Sequence, residues 1–128
     1  MPQTVTRLLG LMIGLFLSAG GAPAADMPPL SEEEVTHLLT YLDKSGCKFG
    51  RNGDWHTAKD AAKHLNEKKA YLVNQGSVAS AEAFIAKAAS KSSMTGSPYL
   101  VQCGDAPAVE SGPWLTLELN RLRQSRKK

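Results

Sequence analysis

The run Cys47-Lys48-Phe49-Gly50-Arg51-Asn52-Gly53-Asp54-Trp55-His56 decides the fold class, because helical periodicity stops there in the middle of the chain. Asn52-Gly53 suits a two-residue type I′ turn, in which both central residues take positive φ. The stretch therefore predicts a short hairpin. Cys47, Phe49 and Arg51 share one face of its first strand, with Trp55 opposite in the second. Working outward in both directions, the flanks read as helices. Upstream, Ser31 begins a capping box with Glu34, and Glu32 and Glu33 place negative charge in the first turn. Val35, Leu38, Leu39 and Leu42 repeat at helical spacing, and the helix ends near Ser45-Gly46. His37 and Tyr41 fall off that stripe.

Downstream, Thr57 caps a second helix with Asp60 at its third position. Its buried stripe is Ala58, Ala61, Ala62, Leu65 and Leu72, and His64, Lys68 and Tyr71 lie along an adjacent edge. Ser80 caps a third helix with Ala81, Phe84, Ile85, Ala88 and Ala89 on its apolar face, running out in Ser90 to Ser93. Tyr99 to Cys103 reads as a strand. After a loop through Asp105, Pro107 and Gly112, Pro113 fits the first turn of a last helix carrying Trp114, Leu115, Leu119 and Leu122. The predicted fold is a small single α+β domain of order α-β-β-α-α-β-α, with a short antiparallel sheet packed by helices.

Composition agrees with one small domain: 128 residues, 42% hydrophobic, two Cys, and 15 Lys+Arg against 12 Asp+Glu for a formal charge of +3. A multi-domain catalyst, a multi-span porter, a coiled-coil rod and a disulfide-dense toxin are excluded by length, pattern or cysteine count. Residues 1–25 read as a signal peptide. Arg7 is the only charge before Asp26, and Leu8 to Ala19 is an apolar run of about a dozen residues, short of the roughly 20 that a spanning helix needs. Ala22-Pro23-Ala24 supplies the small-x-small pattern, so cleavage is expected near Ala24 or Ala25. No Cys sits just past the cut to take a lipid. Residues 26–128 then form the mature domain, expected in the periplasm without a stable membrane anchor.

Five basic residues, Arg121, Arg123, Arg126, Lys127 and Lys128, crowd the C-terminus. A basic tail on a mildly acidic body lacks the basic face and interleaved aromatics of a nucleic-acid binder, so no nucleic acid is expected. It reads as a solvated helix end that complements the helix dipole. An oxidising address favours a Cys47–Cys103 disulfide, the one intramolecular pairing available, over two buried thiols. Neither Cys belongs to a C-x-x-C redox pair.

Several runs carry a resemblance: Ser45 to Gly53, Ala58 to Leu65 as AKDAAKHL, Ala81 to Ile85, Ala89 to Tyr99 as ASKSSMTGSPY, and Trp114-Leu115 with Glu118-Leu119. Together they resemble the YfeK-like family of small exported proteobacterial proteins, a domain of unknown function. The likeness covers nearly all of the mature chain and implies export and these domain limits, with no reaction attached. The family pattern often has Tyr where Trp55 stands.

Three constellations could carry chemistry. Ser92 or Ser93 with His64 could form a nucleophile and base, but G-x-S-x-G and S-x-x-K patterns are absent and helix termination explains the serines equally well. His37, His56 and His64 lack the close spacing of a zinc motif, so no metal and no cofactor is expected. The third is a polar pocket in which Arg51 and Asn52 at the hairpin tip meet Ser92, Ser93, Thr95 and Tyr99. Arg51 offers a planar fork for a carboxylate; the alternative is that Arg51 pairs with a surface acid and Asn52 merely supplies turn geometry. If Cys47 joins Cys103, antiparallel strands bring Arg51 and Tyr99 to one end of the ladder, whereas parallel strands separate them by more than about 20 Å. The sequence thus points to a monomeric, non-enzymatic binding or accessory module of the cell envelope. Its expected partner is an envelope protein or an anionic peptidoglycan fragment, and the rival is a small periplasmic hydrolase.

Overall fold

The computed structural model describes residues 27–127, so the expected signal peptide, its cleavage site and Lys128 lie outside the described residues. The elements run α1 (Pro29–Asp43), β1 (Lys48–Arg51), β2 (Asp54–Thr57), α2 (Ala58–Asn74), α3 (Ala81–Phe84, continuing as a π-helical turn over Ile85–Ala89), β3 (Leu100–Gln102), β4 (Val109–Glu110) and α4 (Ser111–Ser125). The result is a small α+β domain. Its sheet has the order β2-β1-β3-β4 and is antiparallel throughout.

The hairpin forms as its sequence dictates. Asn52 and Gly53 both take positive φ, 51° and 86°, and Arg51 pairs with Asp54 across the turn. Thr57 Oγ1 accepts from the Asp60 backbone N–H at 3.1 Å and starts α2, and Ser80 Oγ accepts from the Ala83 N–H at 3.0 Å and starts α3. All five residues of the predicted α3 stripe are buried, together with Val35, Leu38 and Leu42 of α1, Phe49, Leu65, Val101, Leu115 and Leu119. Trp55 lies on the other face of the sheet, exposed, its ring against Gly50. A Cβ on Gly50 would come within 3.2 Å of that ring.

Between β1 and β3, Phe49 pairs with Val101. The same register continued outward sets Cys47 opposite Cys103 and Arg51 opposite Tyr99. The two sulfurs are bonded, with the Cα atoms 4.3 Å apart, close to the spacing of a non-hydrogen-bonded antiparallel pair. One face of this ladder therefore carries a column of three pairs: disulfide, then Phe49 with Val101, then Arg51 with Tyr99.

Four details differ from the sequence reading. The capping box is not formed: α1 begins at Pro29, whose fixed φ suits a first helical position and which needs no N–H partner there, with no side-chain cap. Glu34 instead turns inward. Its carboxylate accepts from Arg123 Nε and Nη2 at 2.8 Å each and from Arg126 Nη1 at 2.7 Å. The basic end of α4 is thus fastened to α1 rather than wholly solvated. The third helix is not regular, because its last five residues widen into a π turn, with the Ser90 hydroxyl donating to the Ile85 carbonyl at 2.6 Å. Finally, the expected loop before the last helix contains β4, a two-residue edge strand whose brevity leaves no alternating pattern.

Candidate functional site

The loop after the π turn folds onto the hairpin tip. Lys91 bridges Pro98, the Ser92 N–H donates to the Ser97 carbonyl at 2.9 Å, and the Gly96 N–H donates to the Ser92 carbonyl at 2.9 Å with Gly96 at φ 76°. Within this turn Ser92 Oγ accepts from the Met94 and Thr95 amides at 3.3 Å each. Asn52 fastens the hairpin to it. Its Nδ2 donates to Ser92 Oγ at 3.3 Å and its Oδ1 accepts from Thr95 Oγ1 at 2.6 Å. Asn52, Ser92 and Thr95 thus spend much of their hydrogen-bonding capacity on one another, and Ser92 is buried.

Beside this clasp lies a cleft of about 390 Å³ whose walls include Arg51, His64, Lys68, Tyr71, Ser93 and Tyr99. Arg51 Nη1 is 3.1 Å from His64 Nε2 and 3.3 Å from Nδ1, so the guanidinium donates to an imidazole nitrogen. Tyr99 Oη lies 3.5 Å from His64 Nε2 and accepts from Lys68 Nζ at 3.2 Å. Lys68 also donates to the Lys91 carbonyl at 3.2 Å and stands 5.2 Å from the centre of the Tyr99 ring. Burial pushes the His64 imidazolium down, and the positive charges of Arg51 and Lys68 push the same way against the opposing pull of Glu67. The neutral ring is therefore favoured, and a neutral ring can accept the guanidinium proton. Arg51, His64 and Tyr99 also line a second cavity, of about 270 Å³, that reaches inward to Leu42, Leu65 and Ala89.

The structure brings all six residues singled out from sequence to the hairpin tip and its facing loop, in two different roles. Asn52, Ser92 and Thr95 hold the backbone, and Arg51, Ser93 and Tyr99 face the cleft, whose wall Asn52 and Ser92 share along with the acidic Glu67. His64 and Lys68 complete the cleft; from sequence His64 is named as the base of the hydrolase reading with Ser92 or Ser93, and Lys68 only as a neighbour of His64 and Tyr71 on one edge of α2. Only the packing of α2 beneath the hairpin shows where that edge faces.

No hydrogen bond joins Ser92 or Ser93 to a histidine or lysine side chain among the described residues, so the geometry gives the hydrolase reading no support. Among the described residues the three histidines make no common cluster: His37 Nε2 meets Glu118 at 2.6 Å, His64 meets Arg51, and His56, which shares a cavity wall with His64, has its Nε2 buried with no hydrogen-bond partner among those residues. Among the described residues no three His, Cys, Asp or Glu side chains gather where they could hold a metal ion, and no helix is long and apolar enough to cross a membrane.

Residues 29–123 match the model of a family described as "Family of unknown function (DUF5329)", and the chain belongs to that family. Over 69 residues it is also 41% identical to "Uncharacterized protein YfeK" of Salmonella typhimurium, a match covering 53% of this chain and 56% of that protein. The likeness thus spans little more than half the length of that relative. No solved structure matches the chain.

Proposed function

We propose that this protein is an exported, non-enzymatic binding module of the bacterial cell envelope, which takes an anionic group where Arg51 meets His64, Lys68 and Tyr99. The observation that carries this reading is the company Arg51 keeps. Among the described residues it makes no ion pair, and its near partner is a histidine held toward its neutral form. Arg121, Arg123 and Arg126, by contrast, all bind carboxylates within the fold. An arginine set against a neutral acceptor, with a lysine on the adjacent tyrosine hydroxyl, keeps its charge for something outside the chain. Peptidoglycan stem peptides and acidic surfaces of other envelope proteins offer the matching carboxylates. Arg51→Ala should weaken binding of soluble peptidoglycan fragments about tenfold or more, as loss of a charge-assisted hydrogen bond implies, while leaving Tm nearly unchanged. Equal binding by calorimetry would remove the reading, and loss of fold would make Arg51 structural.

The periplasmic address is part of the same proposal. Arg7, the short apolar run and Ala22-Pro23-Ala24 support removal of residues 1–25, and a disulfide suits an oxidising compartment. The intact mass of the exported product should correspond to a chain starting after Ala24 or Ala25. A product that keeps Met1 to Ala22 would mark the segment as an anchor.

A further inference from the structure

The second cavity lies on the core side of the same three residues. Phe49 and His56 stand opposite each other across β1 and β2, so they and Arg51 occupy one face of the hairpin. Across from them α2 contributes Ala61, His64 and Leu65, and Leu42 and Ala89 form the floor. Burial is graded: Leu42, Phe49, Leu65 and Ala89 are buried, Arg51, His56 and His64 are intermediate, and Asp60 at the rim is exposed. The space therefore runs from an apolar bottom to a polar mouth. A cavity of about 270 Å³ exceeds the roughly 150 Å³ that suffices for a benzene-sized body.

Resting on the anion reading above, we propose that this cavity takes the apolar end of a small monocarboxylate, with the carboxylate against Arg51 at its mouth. Arg51 has five N–H donors, and its contact with His64 occupies one nitrogen, Nη1. The remaining fork matches a carboxylate in geometry. Asp60 at the rim disfavours a ligand with a second negative charge, so a single carboxylate on an apolar body fits the balance of the walls.

Titration of the oxidised protein with acetate, butyrate and hexanoate, followed by amide NMR, tests the proposal. Affinity should rise about fourfold for each added methylene, the equivalent of roughly 0.8 kcal/mol per buried CH₂. Arg51→Ala should weaken every member, and Ala61→Leu, which fills the space from α2, should level the series while sparing acetate. A flat series whose binding still depends on Arg51 overturns the cavity and leaves the anion site standing. If no carboxylate binds in an Arg51-dependent way, the anion site falls and the cavity proposal falls with it. Should Ala61→Leu fail to fold, the wild-type series decides by its slope alone.

Discussion

Glu34 shows how one side chain can carry two readings. Standing three residues after Ser31 it has the spacing of a cap, yet it also stands four residues before Leu38 and eight before Leu42, in line with the buried stripe. Packing resolves the choice, because Arg123 and Arg126 supply three charge-assisted hydrogen bonds that a capped N-terminus does not offer. Those bonds, Arg123 foremost, hold the Glu34 carboxyl at about 2 against an ordinary 4.5. The folded value is depressed, so the stability this cluster supplies is fully present above pH 4.5 and disappears as pH falls toward 2. Glu34→Gln should therefore cost about 1 to 3 kcal/mol at neutral pH. It should also lose less Tm than wild type between pH 5 and pH 2, as measured by circular dichroism. Some acid sensitivity should persist, since arginine hydrogen bonds also lower Glu82 and Glu118. The histidine and lysine of the cleft were half legible at this scale: their helix edge could be read from spacing, whereas what that edge meets depends on contacts 13 to 35 residues away in sequence.

Among the elements, turns and caps written in local chemistry were the legible part. Asn52-Gly53, Thr57 with Asp60, and Ser80 each name their own geometry within four residues. The π turn was not legible, because Ala81, Phe84, Ile85, Ala88 and Ala89 satisfy an ordinary helical stripe and leave no mark of the widened turn. Its consequence is visible where α4 begins. Gly112 packs so tightly on the end of that turn that a Cβ would lie 2.7 Å from Ser90 Oγ, which is itself engaged with the Ile85 carbonyl. Gly112→Ala should therefore destabilise the protein by about 1 to 3 kcal/mol. Adding Ser90→Ala should make the double variant less unstable than the sum of the two single effects, because the clash and the hydrogen bond share one oxygen. Additivity in urea unfolding would show that the two helix ends are independent. β4 escaped detection for a different reason, since two residues cannot display a period of two.

For the whole molecule, the disulfide closes most of the domain into one loop, with a sequence separation of 56. In the chain-entropy view such a closure restricts the unfolded state by about 4 kcal/mol, comparable with the stability of a small domain. Reduction, or paired Cys→Ser substitution, should shift the urea midpoint by a corresponding amount. An unchanged midpoint would mean that helix packing alone fixes the fold. The column of pairs on the β1–β3 ladder carries a further consequence for assembly. Cys47 and Arg51 are four residues apart on one strand face, about 13 Å at strand rise. A slip of one residue would turn the two sulfurs to opposite faces of the sheet, and the same slip would set Arg51 opposite Pro98 or Leu100 instead of Tyr99. The alignment that permits oxidation is the alignment that builds the cleft. Bond formation thus proofreads the strands, and a population of oxidised molecules is already sorted for those whose arginine and tyrosine stand face to face.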